Sequence, residues 1–353
     1  MNPNQTIEFL QDLIRIPSFS EEEENTANRI ERWFVDHEIH CNRWHHNVWA
    51  ANKYFDVNKP TLLLNSHHDT VKPNQGYTRD PYEPKIENGK LFGLGSNDAG
   101  GALVSLISTF THFYHHQDLN HNLILAATAE EEISGKNSLK GLLKHLPKID
   151  VALVGEPTLL KLAVAERGCL VINVKLRGTP SHAAHPNDDN PIHKIPLFLK
   201  IIQSIPFHKT SSLLGDVKIT PTIVKAGDIV HNVVPALVEI VLDVRVNEHY
   251  SNEEVFEQIK ERLFEYEVST KGFDLRSSSI PLNHPLVKAG QDLGKETYGS
   301  PTLSDMAALS CPSLKLGPGD STRSHSADEF IYIEEIENAL VFYKNLLTKF
   351  LKS

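Results

Sequence analysis

The pattern that most limits this chain is a set of short, unbroken apolar runs, each stopping on ionisable residues. Thr61-Leu62-Leu63-Leu64-Asn65-Ser66 leads into His67-His68-Asp69, and Leu123-Ile124-Leu125-Ala126-Ala127-Thr128 leads to Glu130-Glu131-Glu132. Val151-Ala152-Leu153-Val154 meets Gly155-Glu156, and Ser313-Leu314-Lys315-Leu316-Gly317 precedes the loop that carries Ser324-His325. Runs of this length without polar alternation are those of strands buried on both faces. Between them lie stretches of helical period: Phe9, Leu10, Leu13 and Ile14; then Ile30, Trp33 and Phe34; then Ala102 to Phe113. Strands alternating with helices imply right-handed crossovers and an α/β fold with a mostly parallel sheet, whose sites gather beyond the carboxyl ends of the strands.

From Arg167 the texture changes. Leu170 to Leu176 predicts a strand, Pro191 to Ile205 a helix, Val217 to Val224 and Val238 to Val246 two strands, and Ser251 to Tyr266 a helix. The last helix opens with Ser251-Asn252-Glu253-Glu254, a capping-box pattern. This order predicts a small open-faced α+β sandwich at 166–276, inserted into a main domain made of 1–165 and 277–353. A chain of 353 residues, 40% hydrophobic, can supply both with cores.

The net charge of -10 and the lack of a basic stripe exclude a nucleic-acid surface. Cys41, Cys169 and Cys311 have no paired spacing, which argues against a disulfide framework and for a reducing compartment. Met1 to Thr6 lacks the regions of an export signal, and no apolar run reaches membrane-spanning length, so a cytoplasmic location is expected.

Taken singly, each polar cluster has an ordinary alternative. His67-His68-Asp69 can be a polar turn, Asp98 in Gly95-Ser96-Asn97-Asp98 a helix cap, the three glutamates a surface acid patch, Glu156 a turn residue before Pro157, and His325 an exposed loop residue. Residues two apart on a strand share a face, so His67 and Asp69 lie together with His68 turned away. Taken together, two histidines, three ligand carboxylates and a spare carboxylate make the set for a two-metal hydrolytic site with its own general base.

With these clusters in this order, nearly the whole chain resembles the co-catalytic zinc amidohydrolases and exopeptidases, the family of acetylornithine deacetylase, succinyl-diaminopimelate desuccinylase and aminoacylase. The resemblance implies a zinc-exopeptidase-like three-layer catalytic domain and an inserted ferredoxin-like lid that also dimerises. It implies that His67 and Glu156 hold one zinc, Glu132 and His325 the other, and that Asp98 bridges them. Glu131 would be the general base, Asp69 the partner of His67, and Glu130 the acid that precedes the pair. Cobalt or manganese also suits such ligands.

The lid carries matches of its own. In Gly178-Thr179-Pro180-Ser181-His182, the resemblance gives His182 the oxyanion of the tetrahedral intermediate, reached across a homodimer interface. Arg167, Asn232 and Arg245 match substrate-contact positions, and a guanidinium suits a carboxylate. Gly317-Pro318-Gly319-Asp320-Ser321 before His325, and Ser304-Asp305-Met306, resemble the deacetylase and desuccinylase branch. Thr302-Leu303 stands where desuccinylases usually carry Gly-Thr, which favours N-acetylornithine, or its succinyl or citrulline analogue, over succinyl-diaminopimelate. A dipeptidase or aminoacylase using the same chemistry, and a non-catalytic binding protein on the same fold, are the rival expectations.

Overall fold

The computed structural model describes residues 2–227 and 230–352. Its contacts divide into two compact units, one of Met1–Val164, Ser279–Tyr298 and Ser304–Ser353, the other of Ala165–Ser278 and Gly299–Leu303.

In the first unit the apolar runs form the centre of a mixed sheet. Thr61–His67 pairs in parallel with Asn122–Thr128 on one side and Val151–Val154 on the other, and Ser313–Lys315 continues the parallel set beside Val151–Val154. Asn47–Ala51 adds antiparallel to Asn122–Thr128, and Ala163 pairs antiparallel with Lys315. Every residue of Thr61–His67 and of Asn122–Thr128 is buried, as the unalternating pattern requires. On one face Leu63, Ile124, Ala126 and Ala152 pack with Leu139 and Leu142. The helix Gly101–Phe113 packs on the same strands and against the helices Pro3–Ile14 and Ile333–Leu351. Phe9, Leu10, Leu13 and Ile14 are the buried stripe of the first helix, the face their spacing predicted.

The second unit is a four-stranded antiparallel sheet in the order Lys218–Ala226, Leu237–Val246, Gly168–Arg177, Glu267–Thr270. With the helices Ile195–Gln203 and Asn252–Arg262 this is strand-helix-strand-strand-helix-strand, the ferredoxin-like arrangement. Alternate residues of Gly168–Arg177 are buried, so one face is covered: Leu170, Ile172, Val174 and Leu176 meet Phe198, Ile202, Val255 and Ile259 of the helices. Ser251 Oγ accepts the Glu254 N–H at 3.0 Å and Glu254 Oε2 accepts the Ser251 N–H at 2.8 Å, completing the capping box. The stretch expected as one helix from Pro191 splits into a 3-10 turn, Pro191–Lys194, and the α-helix Ile195–Gln203. Pro196 has no N–H to give to the preceding turn, so it sits in the first turn of the α-helix instead.

Among the described residues no helix is long and apolar enough to cross a membrane. The three cysteines are free and partly buried.

Candidate metal centre

Five side chains from the ends of strands and the loops beside them converge in the first unit. His67 closes its strand, 1% exposed, and its Nδ1 donates to the Asp69 carbonyl at 2.9 Å, with Asp69 Oδ1 at 3.4 Å. A carbonyl can only accept, so the proton of the neutral ring is on Nδ1 and Nε2 carries the lone pair. That Nε2 lies 3.4 Å from Asp98 Oδ1 and 3.8 Å from Glu156 Oε1. On the other side His325 Nε2 lies 3.1 Å from Glu132 Oε2 and 3.5 Å from Asp98 Oδ2. Each oxygen of Asp98 therefore addresses a different histidine. Ligand atoms of His67, Asp98 and Glu132 all fall within 4.8 Å of one another, close enough to share a cation.

His68 turns the other way, as alternation along a strand requires: Nδ1 meets Thr26 Oγ1 at 2.9 Å and Nε2 the His46 carbonyl at 3.0 Å. Burial pushes its pKa down to about 4. Asp69 contributes more than a partner for His67. Its carboxylate accepts the backbone N–H of Glu131 and of Glu132, each at 3.1 Å, and the Ser20 hydroxyl at 2.7 Å. Glu130 stands apart from its two neighbours. At φ 55° its chain turns over, and its carboxylate binds the Asn137 backbone N–H at 2.9 Å and the Asn137 side-chain amide at 2.6 Å.

The electrostatics are those of crowded carboxylates. Burial raises Glu131 well above the ordinary carboxylate range, and Glu156, Asp305 and Glu132 nearby push it the same way. Burial, with Asp98 and Glu132, raises Glu156 to about 8, and burial with Asp69 raises Asp305 to about 6. Glu132 raises His325 to about 9. Burial opposes charge on His67, yet the surrounding carboxylates hold its pKa well above that of a free imidazole. An excess of buried carboxylates around two imidazole nitrogens is a donor set that suits divalent cations, so the residues fit the metals that the sequence implied.

Sequence reasoning assigned no role to several polar residues here. Asp305 accepts from Thr128 Oγ1 at 2.8 Å, and Glu329 accepts from three backbone N–H groups of the Asp98 loop. Burial and the Asp98 charge push Glu329 up to about 8 against the pull of those bonds. The motif containing Asp305 was visible, but nothing in a linear pattern says which distant group a carboxylate will meet.

The remaining candidates lie in the second unit. His182 is exposed, and its Nδ1 accepts the Ala184 N–H at 3.1 Å, leaving the proton of the neutral ring on Nε2. The Asn232 carbonyl accepts the Ala183 N–H at 2.9 Å. Arg245 forks onto Asp243 at 2.8 and 3.0 Å, while Arg167 donates to the carbonyls of Leu214 and Asp216. Both guanidinium groups are thus engaged within their own unit.

Comparison with known proteins gives these features a family. The model of the peptidase family M20/M25/M40 matches residues 63–349. The chain belongs to that family. It is a metal-dependent hydrolase. It is similar to a succinyl-diaminopimelate desuccinylase of Thioalkalivibrio sulfidiphilus, 25% identical over 382 residues and 99% of each chain. It shares its fold with an M20 family metallo-carboxypeptidase from Sulfolobus solfataricus, at TM-score 0.77 and 18% identity over 100% of both chains. A dinuclear metal-binding peptidase of this family from Bacillus subtilis has the same fold, at TM-score 0.76 and 16% identity over 99% of this chain and 98% of that one.

Proposed function

We propose that the protein hydrolyses the N2-acyl amide of an acylated amino acid, N-acetylornithine or its succinyl or citrulline analogue, at a pair of divalent cations. The observation that carries the metal reading is the placement of Asp98, with one oxygen toward His67 and the other toward His325. His67 and Glu156 would hold one cation, Glu132 and His325 the second, and Asp98 both, with zinc the first candidate and cobalt or manganese compatible. Such a pair polarises the scissile carbonyl and lowers the pKa of the attacking water.

The chain's own groups do the rest. Asp69, by accepting the Glu131 and Glu132 N–H groups, fixes the turn from which Glu131 reaches the reacting atoms. Glu131 takes the proton of the water and returns it to the leaving amine. His182, with Nε2 as its donor, would stabilise the oxyanion from the lid of a second subunit, and Arg167, Asn232 or Arg245 would meet the substrate carboxylate once released from their present partners. A cytoplasmic homodimer is part of this reading.

The desuccinylase relative favours a second substrate, succinyl-diaminopimelate. Amine release from acetyl- and succinyl-ornithine, -citrulline, -lysine and -diaminopimelate, with dipeptides alongside, separates the two. Turnover of acetyl- or succinyl-ornithine or -citrulline at least tenfold above the others supports the proposal. A preference for succinyl-diaminopimelate or a dipeptide replaces it.

A further inference from the structure

His67 is held by the ladder of a buried strand and Glu156 lies two residues beyond another, but Asp98 and His325 sit on irregular segments more than two hundred residues apart in sequence. Irregular backbone needs side-chain bonds to stay in one conformation. Here the two segments supply those bonds to each other.

Glu329 precedes the strand Phe330–Tyr332, which pairs antiparallel with Lys90–Phe92, and its carbonyl accepts the Gly93 N–H at 3.0 Å. From this anchored backbone the side chain, 2% exposed, turns toward the Asp98 loop. Oε2 accepts the Gly95 N–H at 3.2 Å, and Oε1 accepts the N–H of Asn97 at 2.8 Å and of Asp98 itself at 2.9 Å. Asn97 answers in the opposite direction. Its Oδ1 accepts the Asp320 N–H at 3.0 Å, and its Nδ2 donates to the Asp320 carbonyl at 3.0 Å and to Ser324 Oγ at 3.4 Å. Ser324 is the residue before His325. The approach depends on Gly319, at φ 87°, where a Cβ would lie 2.5 Å from Asn97 Oδ1.

We propose that Glu329 and Asn97 are positioning residues, a reciprocal clamp that sets the spacing of Asp98 from His325 and thereby the affinity of the paired cation sites. The inference rests on the metal reading of the proposed function. A carboxylate satisfied by three N–H groups and an amide satisfied at both ends leave the two loops few competing arrangements.

The test is zinc titration of metal-stripped protein by calorimetry, with melting curves of the stripped forms, for the parent, Glu329→Ala, Glu329→Gln and Ser324→Ala. The parent takes up two zinc ions. Glu329→Ala, which removes all three acceptor contacts, weakens zinc binding about 10–100-fold, the usual effect of losing a group that orients a ligand. Glu329→Gln still offers an amide oxygen to two of the N–H groups and recovers most of the affinity, which a general loss of packing would not predict. Ser324→Ala weakens binding several-fold. Parental zinc affinity in Glu329→Ala, or no recovery in Glu329→Gln, overturns the clamp. Should Glu329→Ala fail to fold, Ser324→Ala decides, since its side chain is only partly buried: parental affinity there overturns the clamp, and several-fold weakening supports it. A parent that binds no zinc overturns the metal reading itself, and the clamp with it.

Discussion

Asp69 Oδ1 accepts the backbone N–H of Glu131 at 3.1 Å, so the carboxylate beside one expected ligand also shapes the turn that carries the expected base. Asp69→Asn keeps the size of the side chain but turns one acceptor into a donor facing a backbone N–H. We expect kcat to fall at least ~10-fold, as for other groups that orient a site, with the fold retained. Steady-state kinetics on folded, metal-loaded protein check this, and a parental kcat would detach Asp69 from the mechanism.

Glu131→Gln removes the proton acceptor and leaves the ligands in place. Turnover should drop by about 10²–10⁴-fold, the usual worth of a general base, while metal content by elemental analysis stays at the parental level. Hydrolysis at the parental rate would remove Glu131 from the reaction.

Stripping the metals should abolish hydrolysis and lower thermal stability together. Each cation site saturated at a hundred times its dissociation constant contributes about 2.7 kcal/mol, which the stripped protein loses. Chelation followed by zinc addition, read by activity and melting temperature, should show both lost and both restored. Undiminished activity in the stripped protein is the contrary result.

Acid should weaken the first unit at a point away from the metal centre. His121 and His284 flank Phe350, with ring centroids 4.6 and 6.2 Å from it, and burial lowers the pKa of both. Because the folded pKa lies below the unfolded value, the unfolded chain binds more protons in the window between them. Stability is therefore full above about pH 6.5, the unfolded histidine value, and falls as pH drops through the window. His284 Nδ1 also accepts the Leu286 N–H at 3.2 Å, capping the helix Pro285–Asp292, and protonation removes that acceptor. Asparagine caps without titrating, so urea midpoints of metal-loaded His284→Asn should fall less between pH 7 and 5 than those of the parent. Equal slopes would show that His284 plays no part.

The fold was legible wherever a period carried it. Unbroken runs such as Leu62 to Leu64 and Leu123 to Ala127 marked strands covered on both faces, and Leu170 to Leu176 marked a strand whose alternate burial the structure supplied. His67, Asp98, Glu132, Glu156 and His325 drew notice because each follows such a segment or a glycine-rich turn, the resemblance gave them their expected roles, and the structure brings them to one place. What stayed hidden depends on the third dimension alone. The resemblance separated Glu130 from Glu132 but not the cause: a positive φ sends the first to Asn137 while the second meets His325. Asn97 and Glu329 lie 232 positions apart, and no periodicity links a side chain to the backbone of so distant a loop.

The first unit is interrupted in sequence, and that has a consequence for biosynthesis. A chain emerging amino end first delivers His67, Asp98, Glu132 and Glu156 before the second unit, and His325 only after it. Early termination before Ser313 leaves His67 and three carboxylates with no fifth ligand, no Ser313–Lys315 strand beside Val151–Val154 and no Glu329. The cluster of five side chains is thus complete only after the segment that follows the second unit has been made.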